Sequence, residues 1–281
     1  MVGHVETVSW NTSYVYPTRR WSVAWSQIED RAPIRDPSDD VLSHARALPA
    51  EGHYARIQLG YAYSNVRAFP HSISPERGFS AAFALEGLAQ GLGSDYDQIV
   101  FSAEARGYLS IPWEPRWLKN HVLAGRAALR LSGGPDLADL SRLGGVTGQS
   151  VVTTSTQDLF PLRGLRTAGL AGAGLLAGSL EYRAPIIRIE RGLWTLPVTL
   201  RVLHAAVYAD AGRVFDRLDP STLRDGFFDD FAVSAGAELR ADVILWYSLG
   251  LSLRLGYAKL LHTPRADLDQ SGIYFQIGSA F

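Results

Sequence analysis

The segment "LWYSLGLSLRLGY", Leu245 to Tyr257, reads with a period of two. Leu245, Tyr247, Leu249, Leu251, Leu253, Leu255 and Tyr257 fall on one side, and Ser248, Gly250, Ser252, Arg254 and Gly256 on the other. Successive side chains of a strand point to opposite faces, so this segment predicts a strand with one apolar and one polar face. The same alternation recurs outward along the chain. In "YARIQLGYAYS" Ala55, Ile57, Leu59, Tyr61 and Tyr63 oppose Arg56, Gln58, Gly60, Ala62 and Ser64. In "TLRVLHAAVYAD" Leu203, Ala205 and Val207 oppose His204, Tyr208 and Asp210. The chain closes with Ile273, Phe275, Ile277 and Phe281 on one face.

About eleven such segments of roughly ten residues can be read, the length of a tilted strand that crosses a bilayer. Strands of soluble sandwiches are shorter, about five or six residues. Here the polar face is rich in Arg, Glu, Ser and Gly, as a water-filled lumen requires. Aromatics such as Trp10, Trp21, Trp25, Tyr54, Tyr63, Trp113, Trp117, Trp194 and Trp246 fall near strand ends, where an interfacial girdle would sit. The fold class expected is therefore all-β, a transmembrane antiparallel β-barrel spanning residues 1–281.

Composition narrows the function. The net charge of −1 over 281 residues offers no basic surface for nucleic acid, and none is expected as a partner. The absence of cysteine removes disulfides, thiolate nucleophiles and Cys-based metal sites. The seven histidines are scattered, and there is no G-x-S-x-G, P-loop or H-E-x-x-H pattern. Asp95 and Asp97 in "GSDYD" read as solvated loop acids. No catalytic residue, metal or cofactor is assigned, and the chain is not expected to be an enzyme. No run of about eighteen apolar residues exists to form a membrane helix.

Long polar connections are expected near 29–52, 133–171, 211–230 and 259–270, and outer-membrane barrels carry their long loops outside. The 133–171 loop holds an apolar patch after a polar run, "FPLRGL", Phe160 to Leu165. A loop tip in water has no need of Phe160, Leu162 and Leu165, whereas a loop folded into the lumen does. Arg163 would then need a carboxylate partner. Eleven is an odd number of strands, and single-chain bacterial barrels are even. "MVGHVETVSW" has neither the basic nor the apolar region of a signal peptide, so more of the barrel is expected upstream of Met1.

Several segments together resemble the BamA-type outer-membrane assembly family, also called the bacterial surface antigen family. They are "RLGG" (Arg142 to Gly145), "FPLRGL", "GSLEYRAPI" (Gly178 to Ile186), "HAAVYADAGRVF" (His204 to Phe215), "SAGAELRAD" (Ser234 to Asp242) and "LSLRLGYA" (Leu251 to Ala258), ahead of a terminal strand ending in Phe. Upstream, "SISPERG", "LGSDYD" and "YLSIPW" look like a subgroup in which the barrel follows a periplasmic β-propeller. The resemblance implies a barrel of about sixteen strands, an even number, with the Arg-Gly loop followed by five of them. It implies that Arg163 meets acids on the inner wall, with Glu181 and Asp210 as candidates and Gly164 permitting a tight backbone path. Leu165 stands where the family commonly has an aromatic. The rival reading is that both acids are lumen polarity balanced by Arg183, Arg240 and Arg254. Asp210 to Gly212 also reads as a strand-ending turn.

Phe275, Ile277 and Phe281 resemble the terminal signal by which barrels are recognised for assembly. Function is expected to be the insertion or export of outer-membrane proteins in a Gram-negative outer membrane. The expected partners are outer-membrane lipid, client proteins, and a periplasmic domain or accessory proteins upstream. The alternatives are a membrane anchor or passive pore for a missing periplasmic domain, or the barrel half of a secreted lipase-like protein.

Overall fold

Eleven of the alternating segments join into one antiparallel meander in the computed structural model, which describes residues 6–15, 18–31, 52–69, 72–111, 120–135, 140–146, 159–192, 196–215, 230–246 and 248–279. The first six strands are β1 (Glu6–Val15), β2 (Arg19–Arg31), β3 (Gly52–Ser64), β4 (Gly78–Leu88), β5 (Gln98–Ser110) and β6 (Val122–Gly133). Three short strands follow, β7 (Ser141–Leu143), β8 (Leu159–Phe160) and β9 (Leu170–Gly172). The wall resumes with β10 (Gly174–Gly192), β11 (Val198–Phe215), β12 (Ala232–Leu245), β13 (Leu249–His262) and β14 (Gly272–Ser279). Each wall strand pairs with its neighbours in the order β1-β2-β3-β4-β5-β6-β10-β11-β12-β13-β14. Among the described residues β1 and β14 do not pair, so the sheet is an arc of barrel wall.

The connections fall at two ends, and the three longest share one of them. One end carries 32–51, 89–97, 134–173, 216–231 and 263–271; the other carries 16–18, 65–77, 111–121, 193–197 and 246–248. We refer to these as the loop end and the turn end.

Parity decides which way each side chain points. Val207, Leu239, Leu255 and Phe275 are large apolar side chains exposed on the convex face, as are Leu59, Phe83, Ile99 and Leu180 elsewhere in the wall. Leu239, Leu255 and Phe275 are successive cross-strand partners, so they form a continuous apolar row. Ile273, Phe275 and Ile277 on β14 are all exposed, Ile273 at 80%. An apolar face this extensive is unusual in a soluble protein and is what lipid requires. The opposite parity carries His204, Arg240, Arg254 and Gln276, which are also successive partners. Phe281 lies outside the described residues, as do Trp113, Trp117, Trp194 and the side chains of Trp10, Trp21 and Trp25.

Three expectations need correction. β10 and β11 run to 19 and 18 residues, past the ends expected from alternation. At the loop end β11 is covered by the small sheet, and with both faces buried the alternation fades. At the turn end of β10 the register shifts between Pro185 and Ile187 and between Arg188 and Arg191, which breaks the parity. Asp210 to Gly212 accordingly lie within β11 and do not end a strand. Tyr54 does not belong to a girdle: it is fully buried and packs with Leu88 and Tyr96 beneath the 89–97 connection.

Candidate functional site

The described residues of the connection between β6 and β10 include three short strands. They form a sheet in the order β8-β7-β9, with β7 and β8 parallel and β7 and β9 antiparallel. Under it Leu143, Leu162, Leu165, Leu170 and Leu175 cluster with Leu260 and Leu268, with Phe160 packed at the margin. Leu162 and Leu165 are each 1% exposed, which accounts for the apolar residues around the Arg-Gly step: they are the core of the inserted loop. Leu165 is therefore engaged in the cluster that joins the loop to Leu175 of β10 and Leu260 of β13.

The loop is tied to the 263–271 connection through its backbone. Gln270 N donates to Gly164 O (2.9 Å), and Arg166 N donates to Leu268 O (3.0 Å). Gly164 has φ +84°, a conformation that L side chains rarely adopt, and an added Cβ would lie 3.3 Å from that of Ala258. Glycine here allows the turn and the close approach to β13 together.

That turn aims Arg163 at the wall. Its Nε and Nη2 donate to the two oxygens of Asp210 on β11 (2.7 and 2.6 Å), a bidentate fork. Nη1 donates to Glu181 Oε1 on β10 (2.8 Å) and Glu238 Oε1 on β12 (3.0 Å). The second Nη2 hydrogen reaches Ser179 Oγ (3.1 Å), whose own hydroxyl donates to Asp210 Oδ1 (2.7 Å). All five guanidinium hydrogens find acceptors, which only a planar fork can arrange.

Two wall arginines complete the network. Arg183 donates twice to Glu181 Oε2 (2.9 and 2.7 Å), and Arg240 bridges Glu238 (2.6 Å) and Glu181 (3.1 Å). Three arginines thus face three carboxylates, so the buried cluster is neutral. The Arg163 guanidinium carbon also lies 3.4 Å from the centroid of the Tyr208 ring, a cation–π contact. Tyr274 donates to Glu238 Oε1 (2.5 Å) and lies 3.1 Å from the Tyr208 hydroxyl. Tyr208 in turn donates to Tyr257 O (3.3 Å).

The structure therefore places Arg163, Gly164, Glu181 and Asp210 together at one point of the inner wall, with Leu162 and Phe160 in the adjoining loop core. Phe275 and Ile277 lie apart, on the lipid-facing side of β14. Reasoning from sequence missed Glu238, Ser179, Tyr208 and Tyr274. Parity could have found Glu238, because it shares the inward face of β12 with Arg240. It also missed the spacing glycines. A Cβ on Gly236 would strike the Tyr208 ring and Tyr257 O, and one on Gly256 would strike the Tyr274 ring, so both glycines make room for aromatics lying along the wall. Asp95 and Asp97 accept backbone N–H groups of His53 and Gln90 (2.8 Å each).

Beside the Arg163 network lies a cavity of about 420 Å³, bounded by Phe160 and Pro161 of the loop, inward residues of the wall, and Ile73 to Pro75 from the turn end.

The chain matches the Omp85 superfamily domain over residues 7–281. Among solved structures it is similar to BamA from Haemophilus ducreyi lacking POTRA domains 1-3, with 16% sequence identity and a TM-score of 0.62. That similarity covers 97% of this chain and 53% of the other, so the chain spans about half the length of that protein. No curated protein matches.

Proposed function

The chain belongs to the Omp85 superfamily, and from that premise we propose that it serves the insertion or export of other proteins at the outer membrane of a Gram-negative bacterium. The observation that carries the reading is the neutral cluster in which one loop arginine is held by carboxylates from three adjacent strands. Such a clamp keeps the 133–171 loop inside the arc and braces β10, β11 and β12 against one another. In this reading the loop end faces the outside of the cell and the convex apolar face meets outer-membrane lipid.

The wall here is the C-terminal eleven strands of a barrel of about sixteen, an even number as in other single-chain bacterial barrels, preceded by a periplasmic domain. β14, with Phe275 and Ile277, forms one side of a seam whose backbone edge pairs with client strands. Strand addition at an exposed edge is a general mode of recognition and needs no chemical step.

The test is reconstitution of the protein in liposomes and measurement of the rate at which a client barrel acquires its folded, heat-resistant form. Wild type is expected to accelerate folding over protein-free liposomes, and Arg163→Ala to lose most of that acceleration. Equal rates with and without the wild-type protein would sink the assembly reading. Steady conductance in the same liposomes would then point to a passive pore.

A further inference from the structure

The cavity beside the clamp is lined by six arginines and four carboxylates, Asp210, Glu181, Glu238 and Asp242. Five of the arginines have partners. Arg163, Arg183 and Arg240 belong to the clamp. Arg106 and Arg126 both pair with Glu104 on β5 (2.5 and 3.0 Å). The sixth, Arg254 on β13, forms no ion pair or hydrogen bond among the described residues, and its Nε is enclosed without a partner.

The surroundings of Arg254 make this more than an idle side chain. Its direct cross-strand partner on one side is Arg240 and on the other Gln276. Like charges directly opposite each other on one face of a sheet are destabilising. Nδ1 of His204, which is 4% exposed and lies next to Arg240 in the same row, is likewise without a hydrogen-bond partner, and Gln276 closes the row on the other side. All of these groups line the one cavity. Two nitrogens of one row, Arg254 Nε and His204 Nδ1, are thus left without an acceptor or donor from the wall, which calls for a cause. Water can supply a hydrogen bond, but it cannot neutralise a guanidinium.

We propose that the row His204–Arg240–Arg254–Gln276 is a binding site for a carboxylate group inside the barrel wall. Charge selects the ligand. Arg254 faces Arg240 directly, and Asp242, the carboxylate diagonal to it on the same face, forms no ion pair with it among the described residues. Geometry selects it too, since a guanidinium fork matches the two oxygens of a carboxylate. The Gln276 NH2 group and a His204 ring N–H can donate neutral hydrogen bonds at its flank. A volume of about 420 Å³ accommodates a small organic acid, or an acidic side chain with a short piece of backbone. The site is independent of whether the protein assembles clients.

The experiment uses the whole barrel protein folded in detergent micelles, with unfolding followed by heat-modified gel mobility. Sodium acetate is titrated against sodium chloride at constant ionic strength. A short, otherwise uncharged peptide bearing one glutamate is titrated in parallel. The expected result is a saturable rise in unfolding temperature with carboxylate and none with chloride. A stronger response to the peptide assigns the group to a chain segment entering the lumen, and a stronger response to acetate to a free small acid.

Arg254→Gln is expected to weaken the response about tenfold or more. Arg254→Lys, which keeps the charge but loses the fork, should retain part of it. Without ligand, Arg254→Gln should unfold at a higher temperature than wild type, because it removes an uncompensated charge beside Arg240. The proposal is overturned by the absence of a saturable rise, by an equal rise in chloride, by an undiminished rise in Arg254→Gln, or by a lower unfolding temperature of ligand-free Arg254→Gln. These readouts involve no client, so client assembly can fail while this site stands, and the reverse.

Discussion

Two stretches of the inner wall share one sequence pattern and differ in what covers them. On β3, β4, β5 and β6 the inward charges pair within the wall: Arg56 with Glu86 at 3.3 Å, and Arg106 and Arg126 with Glu104. The Glu104, Arg106 and Arg126 side chains remain 27%, 48% and 34% exposed. On β10, β11 and β12 a loop arginine enters, and the side chains of Arg163, Asp210, Glu238 and Arg240 are all below 10% exposed. Polar alternation alone makes a solvated lumen. It becomes a buried three-to-three cluster where an apolar loop core covers it. Exposed pairs contribute about 0–1 kcal/mol each, whereas breaking a buried pair by removing one partner costs about 3–5 kcal/mol.

The comparison breaks most visibly at Arg163. Arg163→Ala leaves three carboxylates facing two arginines within a sealed cluster, and a loss of about 3–5 kcal/mol is expected. Heat-modified gel mobility of the folded barrel should show the transition many degrees lower. Unchanged mobility would mean that the cluster is as solvated as the other stretch. A smaller effect is expected from Gly236→Ala, which touches no charge. The new methyl meets Tyr208 and a backbone carbonyl that cannot turn aside, which should cost about 1–3 kcal/mol through overpacking. Arg163 then loses the ring on which it rests. A variant at least as stable as wild type would show that Tyr208 has another rotamer open to it.

The same contrast explains how far the sequence could be read. Alternation reports what faces lipid and what does not, so the eleven wall strands were legible. The segment Leu245–Tyr257, read as one strand, nevertheless starts at the end of β12 and crosses the turn into β13, which begins at Leu249. Alternation also put Glu181 and Asp210 on the inward face. It carries no information about what lies across the lumen. Tyr208 alternates as any lumen residue would, and only the approach of Arg163 makes it a cation–π partner. Gly236 and Gly256 read as small inward residues, and their purpose depends on the rings of Tyr208 and Tyr274 being laid over them by strand register. The loop core was legible as an anomaly, apolar residues in a polar stretch. Its partners Leu260 and Leu268 were not, because they come from the end of β13 and the connection after it, far along the chain.

The smallest effect should come from the solvated stretch, and it sharpens the comparison most. Glu104→Gln removes the shared carboxylate of Arg106 and Arg126, the same kind of change as removing a partner of Arg163. With water available to both arginines, about 0–1 kcal/mol is expected, decreasing further with added salt. The measurement is the unfolding transition of Glu104→Gln beside that of Glu238→Gln, in low and in high salt. Glu238 lies in the cluster with its side chain 1% exposed and three hydrogen-bond donors, so its loss should be several-fold larger and insensitive to salt. If the two variants respond alike, burial by the loop is not what separates the two stretches, and the clamp would be an ordinary feature of a polar lumen.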